Sequence, residues 1–96
     1  MPQNSGEKPP REIVEQQSYA VQLRALRISY RDLDCALDRM VVALGRRPEI
    51  FPEVLDTGVH RLRVNGYARF PDLDIWFTFD HQHVWLHYAE IAPDEE

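Results

Sequence analysis

Apolar and polar residues alternate along Leu73–Ile91, LDIWFTFDHQHVWLHYAEI, and they do so twice with a short break between. In the first arm Leu73, Ile75, Phe77 and Phe79 fall on one face and Asp74, Trp76, Thr78 and Asp80 on the other, the period-2 pattern of a half-buried strand. The second arm sets Val84, Leu86 and Tyr88 against His83, Trp85 and His87. The two arms read as a β-hairpin joined through Asp80–His83. Residues directly opposite must share a face, and this register sets Phe79 against Val84, Phe77 against Leu86 and Ile75 against Tyr88. A four-residue loop of the same parity fits equally, because His81-Gln82 lacks the Gly or Asn that a primed two-residue turn prefers.

Upstream, SYAVQLRA (Ser18–Ala25) alternates Tyr19, Val21, Leu23 and Ala25 against Ala20, Gln22 and Arg24 and reads as a first strand. A helix follows. Ser29 supplies a cap, Asp32 reciprocates, Ile28 packs on Leu33 as a hydrophobic staple, and Leu33, Ala36, Leu37, Met40, Val41 and Leu44 recur at intervals of three and four. Gly45 and the Arg46-Arg47-Pro48 run end it. Pro48–Thr57 is a connector pinned by Ile50, Phe51, Val54 and Leu55. In GVHRLRVNGYARF, His60, Leu62 and Val64 share a face, Val59, Arg61 and Arg63 take the other, and Asn65-Gly66 signals a turn.

The pattern predicts an α+β fold: an antiparallel sheet of about four strands with one main helix packed on one face. One helix leaves the other face open, and there the parity places Arg61, Arg63, Trp76, Trp85 and His87, with Trp76 opposite His87. Two tryptophans and a histidine turned away from the core are the first sign of function.

Composition narrows this picture. Ninety-six residues allow one domain, assigned to 17–91, between a tail over residues 1 to about 16, whose polar composition predicts disorder, and an acidic tail over 92–96. The lone Cys35 forms no intramolecular disulfide and reads as an inert thiol. No apolar run reaches membrane-spanning length and the opening residues lack the apolar stretch of a secretory signal, so a cytoplasmic location with no membrane partner is expected. His81-Gln82-His83 lies in a turn and matches no metal-site geometry, so neither metal nor cofactor is expected.

The net charge of −5 is unevenly spread. From Arg24 to Arg69 there are nine arginines against six acids, while beyond Arg69 there is no Lys or Arg and seven acids: Asp72, Asp74, Asp80, Glu90, Asp94, Glu95 and Glu96. A polyanion would have to be held by the middle of the chain, and non-specific nucleic-acid binding is disfavoured.

The order of elements and two motifs carry a resemblance. Arg61-Leu62-Arg63-Val64-Asn65-Gly66-Tyr67-Ala68-Arg69 is similar to the RLRVGDYR motif, and Ile75-Trp76-Phe77-Thr78-Phe79-Asp80 to the VIYRID-like strand, of the RelE/ParE superfamily of bacterial type II toxin–antitoxin proteins. The likeness covers roughly 18–91. It implies a toxin-like α+β fold whose open face, in the ribosome-dependent endoribonucleases of the family, positions messenger RNA. By position Arg61, Arg63 and Arg69 match the family's basic residues; if RNA is cleaved, Arg61 and Arg69 on this chain are the expected phosphate clamps and His87 the general acid or base, with Arg63, Tyr67, Trp76 and Trp85 as binding contacts. Cleavage would use the RNA's own 2′-hydroxyl, so the protein supplies charge stabilisation and proton transfer.

The chain departs from that pattern in three ways: it lacks the basic segment near the last strand, ending instead in Ala89-Glu90-Ile91-Ala92-Pro93-Asp94-Glu95-Glu96; it is acidic overall; and the periodicity shows no second helix, which many members have. Vigorous nuclease activity is therefore not expected. Two functions follow: a toxin-like translation inhibitor that cleaves or binds messenger RNA, or a non-catalytic protein-binding module of the same fold. In either case the expected partner is an antitoxin-like protein or a second copy, which would cover the exposed aromatic face and sheet edge, with RNA or the ribosome as a further partner of the first.

Overall fold

The computed structural model describes residues 9–93. They run in the order β1 (Glu12–Glu15), α1 (Gln17–Ser29), α2 (Leu33–Arg46), a 3-10 turn at Pro48–Ile50, β2 (His60–Val64), β3 (Leu73–Phe79) and β4 (His83–Ile91). The sheet order is β1-β4-β3-β2, with β1 parallel to β4 and the other pairs antiparallel. The α+β class and the number of strands are as the sequence predicts, though not the place of the first strand. The sheet is mixed rather than antiparallel, and two helices cover it rather than one.

The additional helix is α1, which occupies the stretch read as the first strand. Tyr19 and Leu23 satisfy both a period of two and a period of 3.6, so the alternation alone could not separate them. Val21 decides it: the strand reading needs it buried, and it is 56% exposed. The inward stripe is instead Tyr19, Leu23, Leu26 and Tyr30, at helical spacing. The first strand lies earlier, at Glu12–Glu15, within the segment read as a tail. Its backbone is bound to β4, Glu12 N–H donating to the Gln82 carbonyl at 2.8 Å and Gln16 N–H to that of Leu86 at 2.9 Å. At the other end Ala92, assigned to the acidic tail, is buried and donates its N–H to the Asp72 carbonyl at 2.8 Å; residues 1–8 and 94–96 of the two tails lie outside the described residues.

In α2 the predicted stripe is the buried one: Leu33, Leu37, Met40 and Leu44 face the sheet. Its start differs. Ser29 closes α1, Asp32 occupies the cap position without a side-chain cap bond, and Ile28 is 83% exposed, so there is no staple. Gly45 lies inside the helix, which ends at Arg46, and a Cβ there would lie 3.3 Å from the Arg11 carbonyl oxygen; the lead-in to β1 crosses the helix at this point, with Arg11 N–H donating to the Gly45 carbonyl.

The β3–β4 hairpin keeps the predicted register near its tip, Phe79 opposite Val84 and Phe77 opposite Leu86. A β-bulge then intervenes, with His87 as the extra residue. Tyr88 comes to face Trp76 and Ala89 faces Ile75, so the predicted pairs Ile75–Tyr88 and Trp76–His87 are not made. Ala89 is buried and its N–H donates to Gln22 Oε1 on α1 at 2.9 Å, so the bulge trades a tyrosine for a small residue where the helix lies closest. Ile75, Phe77, Val84 and Leu86 are fully buried, each burial contributing about 1.5–3 kcal/mol. Phe79 is half-buried.

Candidate functional site

Both helices lie on one side of the sheet, and the other side is open. The pairing of Arg61 with Trp76, of Trp76 with Tyr88 and of Thr78 with Trp85 puts all five residues on that face, because opposed residues share a side. Their aromatic rings meet in two groups. Trp76 and Tyr88 have centroids 5.7 Å apart at 51°, and Trp85 stacks on His83 at 5.2 Å and 27°. Between them the bulge aims His87 outward, where its Nε2 lies 2.8 Å from Thr78 Oγ1. Trp76 and Trp85 are half-buried and His87 and Tyr88 exposed, so the strip is a shallow aromatic surface rather than a pocket.

The charges on this face are largely neutralised. Arg63 grips Asp74 with two hydrogen bonds, Nε to Oδ1 at 2.9 Å and Nη2 to Oδ2 at 3.2 Å, and Asp74 is 2% exposed. Glu90 stands opposite Asp74 on β4. Arg61 enters no ion pair among the described residues and is exposed. At the other end His83 lies between Glu12 and Asp80, Nε2 3.8 Å from one carboxylate and Nδ1 3.5 Å from the other. Asp80 accepts the N–H groups of Gln82 and His83 at 2.8 and 2.7 Å, and these two bonds, aided by the His83 ring, hold its carboxyl below the usual range. Tyr19 moves the other way: burial, then the charge of Glu15, raises its phenol above its ordinary value.

Arg61, Arg63, Trp76, Trp85 and His87 thus share the open face. Arg69 and Tyr67 do not. Asn65-Gly66 is not the centre of the turn after β2; Arg69 N–H donates to the Gly66 carbonyl at 2.9 Å, so Tyr67 and Ala68 are central. The turn carries Arg69 to the N-terminus of α2, 4.0 Å from Asp32, and Tyr67 beside it. The two candidate clamps, Arg61 and Arg69, are therefore on different sides of the sheet. Thr78 and His83 lie on the face where the alternation placed them, though not among the candidate site residues, and Tyr88 joins them against the alternation. A bulge has no signature in the alternation, and the wrong parity it produces for Tyr88 is what concealed it.

Among the described residues no group of three or more His, Cys, Asp or Glu is placed to hold a metal ion, and no helix is long and apolar enough to cross a membrane. No family model, curated protein or solved structure matches the chain.

Proposed function

We propose that the chain is a toxin-like component of a type II toxin–antitoxin system that engages messenger RNA on its open sheet face, by stacking more than by charge and without rapid cleavage. The observation that carries this is the face itself: two aromatic groups, an outward histidine and Arg61 on the one side of the sheet that no helix covers. Aromatic platforms of this kind take single-stranded bases, each stack being worth about 1–3 kcal/mol. The order of elements is a second support. An opening strand, then helices, an R-L-R-V strand and a hairpin is the order the RelE/ParE resemblance implies, and α1 supplies the second helix that the periodicity had hidden.

Rapid cleavage would need a phosphate clamp and an acid–base group around one scissile bond. Here Arg63 is engaged by Asp74, Arg69 lies beside α2 on the other side of the sheet, and His87 leans on Thr78 with Arg61 two strands away. The Arg63–Asp74 pair and the acidic balance of the chain favour a second reading: a non-catalytic module whose open face docks an antitoxin-like protein or a second copy.

Induced expression in bacterial cells separates the two. Slowed growth and translation without new messenger RNA ends, relieved by Arg61→Ala with Trp76→Ala, is the outcome expected of an RNA-engaging toxin. If neither the full chain nor one lacking 92–96 slows growth, the binding module is the correct reading.

A further inference from the structure

A groove of about 640 Å³ lies between the N-terminal half of α2 and the turn after β2, on the helix side of the sheet, and the open face makes no use of it. Sites for small molecules commonly fall within about 300–1,000 Å³. The floor is apolar, formed by Ala36, Val64 and Phe70. One wall is the α2 face bearing Asp32, Cys35 and Arg39, spaced at helical intervals, and the other is the turn with Tyr67 and Arg69.

The turn is strained in a way that serves the groove. Tyr67 and Ala68 have φ of 51° and 71°, left-handed values that cost L-residues other than glycine about 1–2 kcal/mol each. The adjacent Gly66 would relieve that strain at the centre of the turn, but it is needed one position earlier, where a Cβ would lie 1.7 Å from the Phe70 carbonyl. Its N–H is held by Asp72 Oδ1 at 2.9 Å. The result is a fixed loop that presents Tyr67, 82% exposed, and Arg69 at the rim.

The charge is unbalanced. Arg39 enters no salt bridge among the described residues. Arg69 reaches Asp32 only at 4.0 Å with both side chains more than half exposed, a pair worth little. Two guanidinium groups against one carboxylate leave a positive excess, and guanidinium forks suit the oxygens of phosphate or carboxylate. An apolar floor and an aromatic rim suit a flat ring beside that anion.

We propose that this groove binds a small anionic aromatic molecule of nucleoside monophosphate size, its phosphate between Arg39 and Arg69 and its ring over the floor beside Tyr67. The site is independent of the open face. Cys35, the chain's single cysteine and exposed within the groove, is a built-in reporter.

The test follows iodoacetamide alkylation of Cys35 by mass spectrometry with adenosine monophosphate, adenosine or inorganic phosphate present. Adenosine monophosphate should slow the reaction saturably, by about tenfold once its concentration is ten times its Kd. Adenosine and phosphate should each protect less at the same concentration. Arg39→Gln with Arg69→Gln, both exposed positions, should remove the protection, whereas Trp76→Ala should keep it. An unchanged rate at millimolar adenosine monophosphate would overturn the site, as would equal protection in the double arginine variant. Protection by phosphate equal to that by adenosine monophosphate would overturn the aromatic half of the proposal.

Discussion

The two faces of one hairpin are built from adjacent residues and obey different rules. On the covered face Ile75, Phe77, Val84 and Leu86 are wholly buried and each has a fixed opposite number. On the open face Trp76, Thr78, Trp85 and Tyr88 occupy the neighbouring positions and keep part of their surface in water, Trp76 meeting Tyr88, Trp85 meeting His83 and Thr78 meeting His87. Large aromatic side chains in that position contribute less to folding than their size would allow. What they retain is surface for a ligand. On the proposed function, stability and nucleobase contact lie on opposite sides of the same strands, and substitutions should divide accordingly.

The largest expected effect is on the covered face. Phe77→Ala should destabilise by about 3–5 kcal/mol in chemical denaturation, a large share of the stability of a domain this size. Arg63→Ala sits on the other face but exposes the one exception there, the buried Asp74 carboxylate. Leaving that charge without Arg63, itself more than a third exposed, should cost about 2–3 kcal/mol, and Asp74→Asn in the same background should restore part of it. Trp76→Ala and Tyr88→Ala should each cost less than Phe77→Ala. A double-mutant cycle between them should return about 0.5–1.5 kcal/mol of coupling, the value of a tilted aromatic pair. A loss for Trp76→Ala equal to that for Phe77→Ala would erase the distinction between the faces.

The smallest effect is at the hairpin tip. The backbone N–H groups of Gln82 and His83 lower the Asp80 carboxyl below its ordinary value of 3.8. Its contribution is therefore present above that value and lost as pH falls through the lower folded value. Asp80→Asn should lower stability slightly near neutrality, where the carboxylate's contribution is fully present, and flatten its loss as pH falls below 3.8.

What the sequence made legible follows from how many residues vote for each pattern. Six residues from Leu33 to Leu44 agree on one helical period, and the hairpin tip agrees on period two from both strands, so α2 and the Phe77–Leu86 pairing could be read directly. In Ser18–Ala25 the deciding residues, Leu26 and Tyr30, lay beyond the window, and the alternation within it was coincidence. Ile13 and Val14 form an edge strand only because β4 is there to receive them, a tertiary fact that a polar neighbourhood disguised. The site divided in the same way. Parity correctly assigned Arg61, Trp76 and Trp85 to the open face, whereas the bulge at His87 and the placement of Tyr67 and Arg69 depend on contacts with α1 and α2 that no local pattern encodes.

The central claim is that the open face stacks nucleobases, and the chain provides its own probe: both of its tryptophans lie on that face. Titration with a single-stranded RNA oligonucleotide should quench tryptophan fluorescence saturably. The quench should weaken in Trp76→Phe and vary little with salt, because Arg61 alone would give a log–log slope of only about −0.7. Binding of labelled RNA with no change in tryptophan fluorescence, or with a steep salt dependence that survives Arg61→Ala, would contradict the account and move the nucleic-acid contact elsewhere.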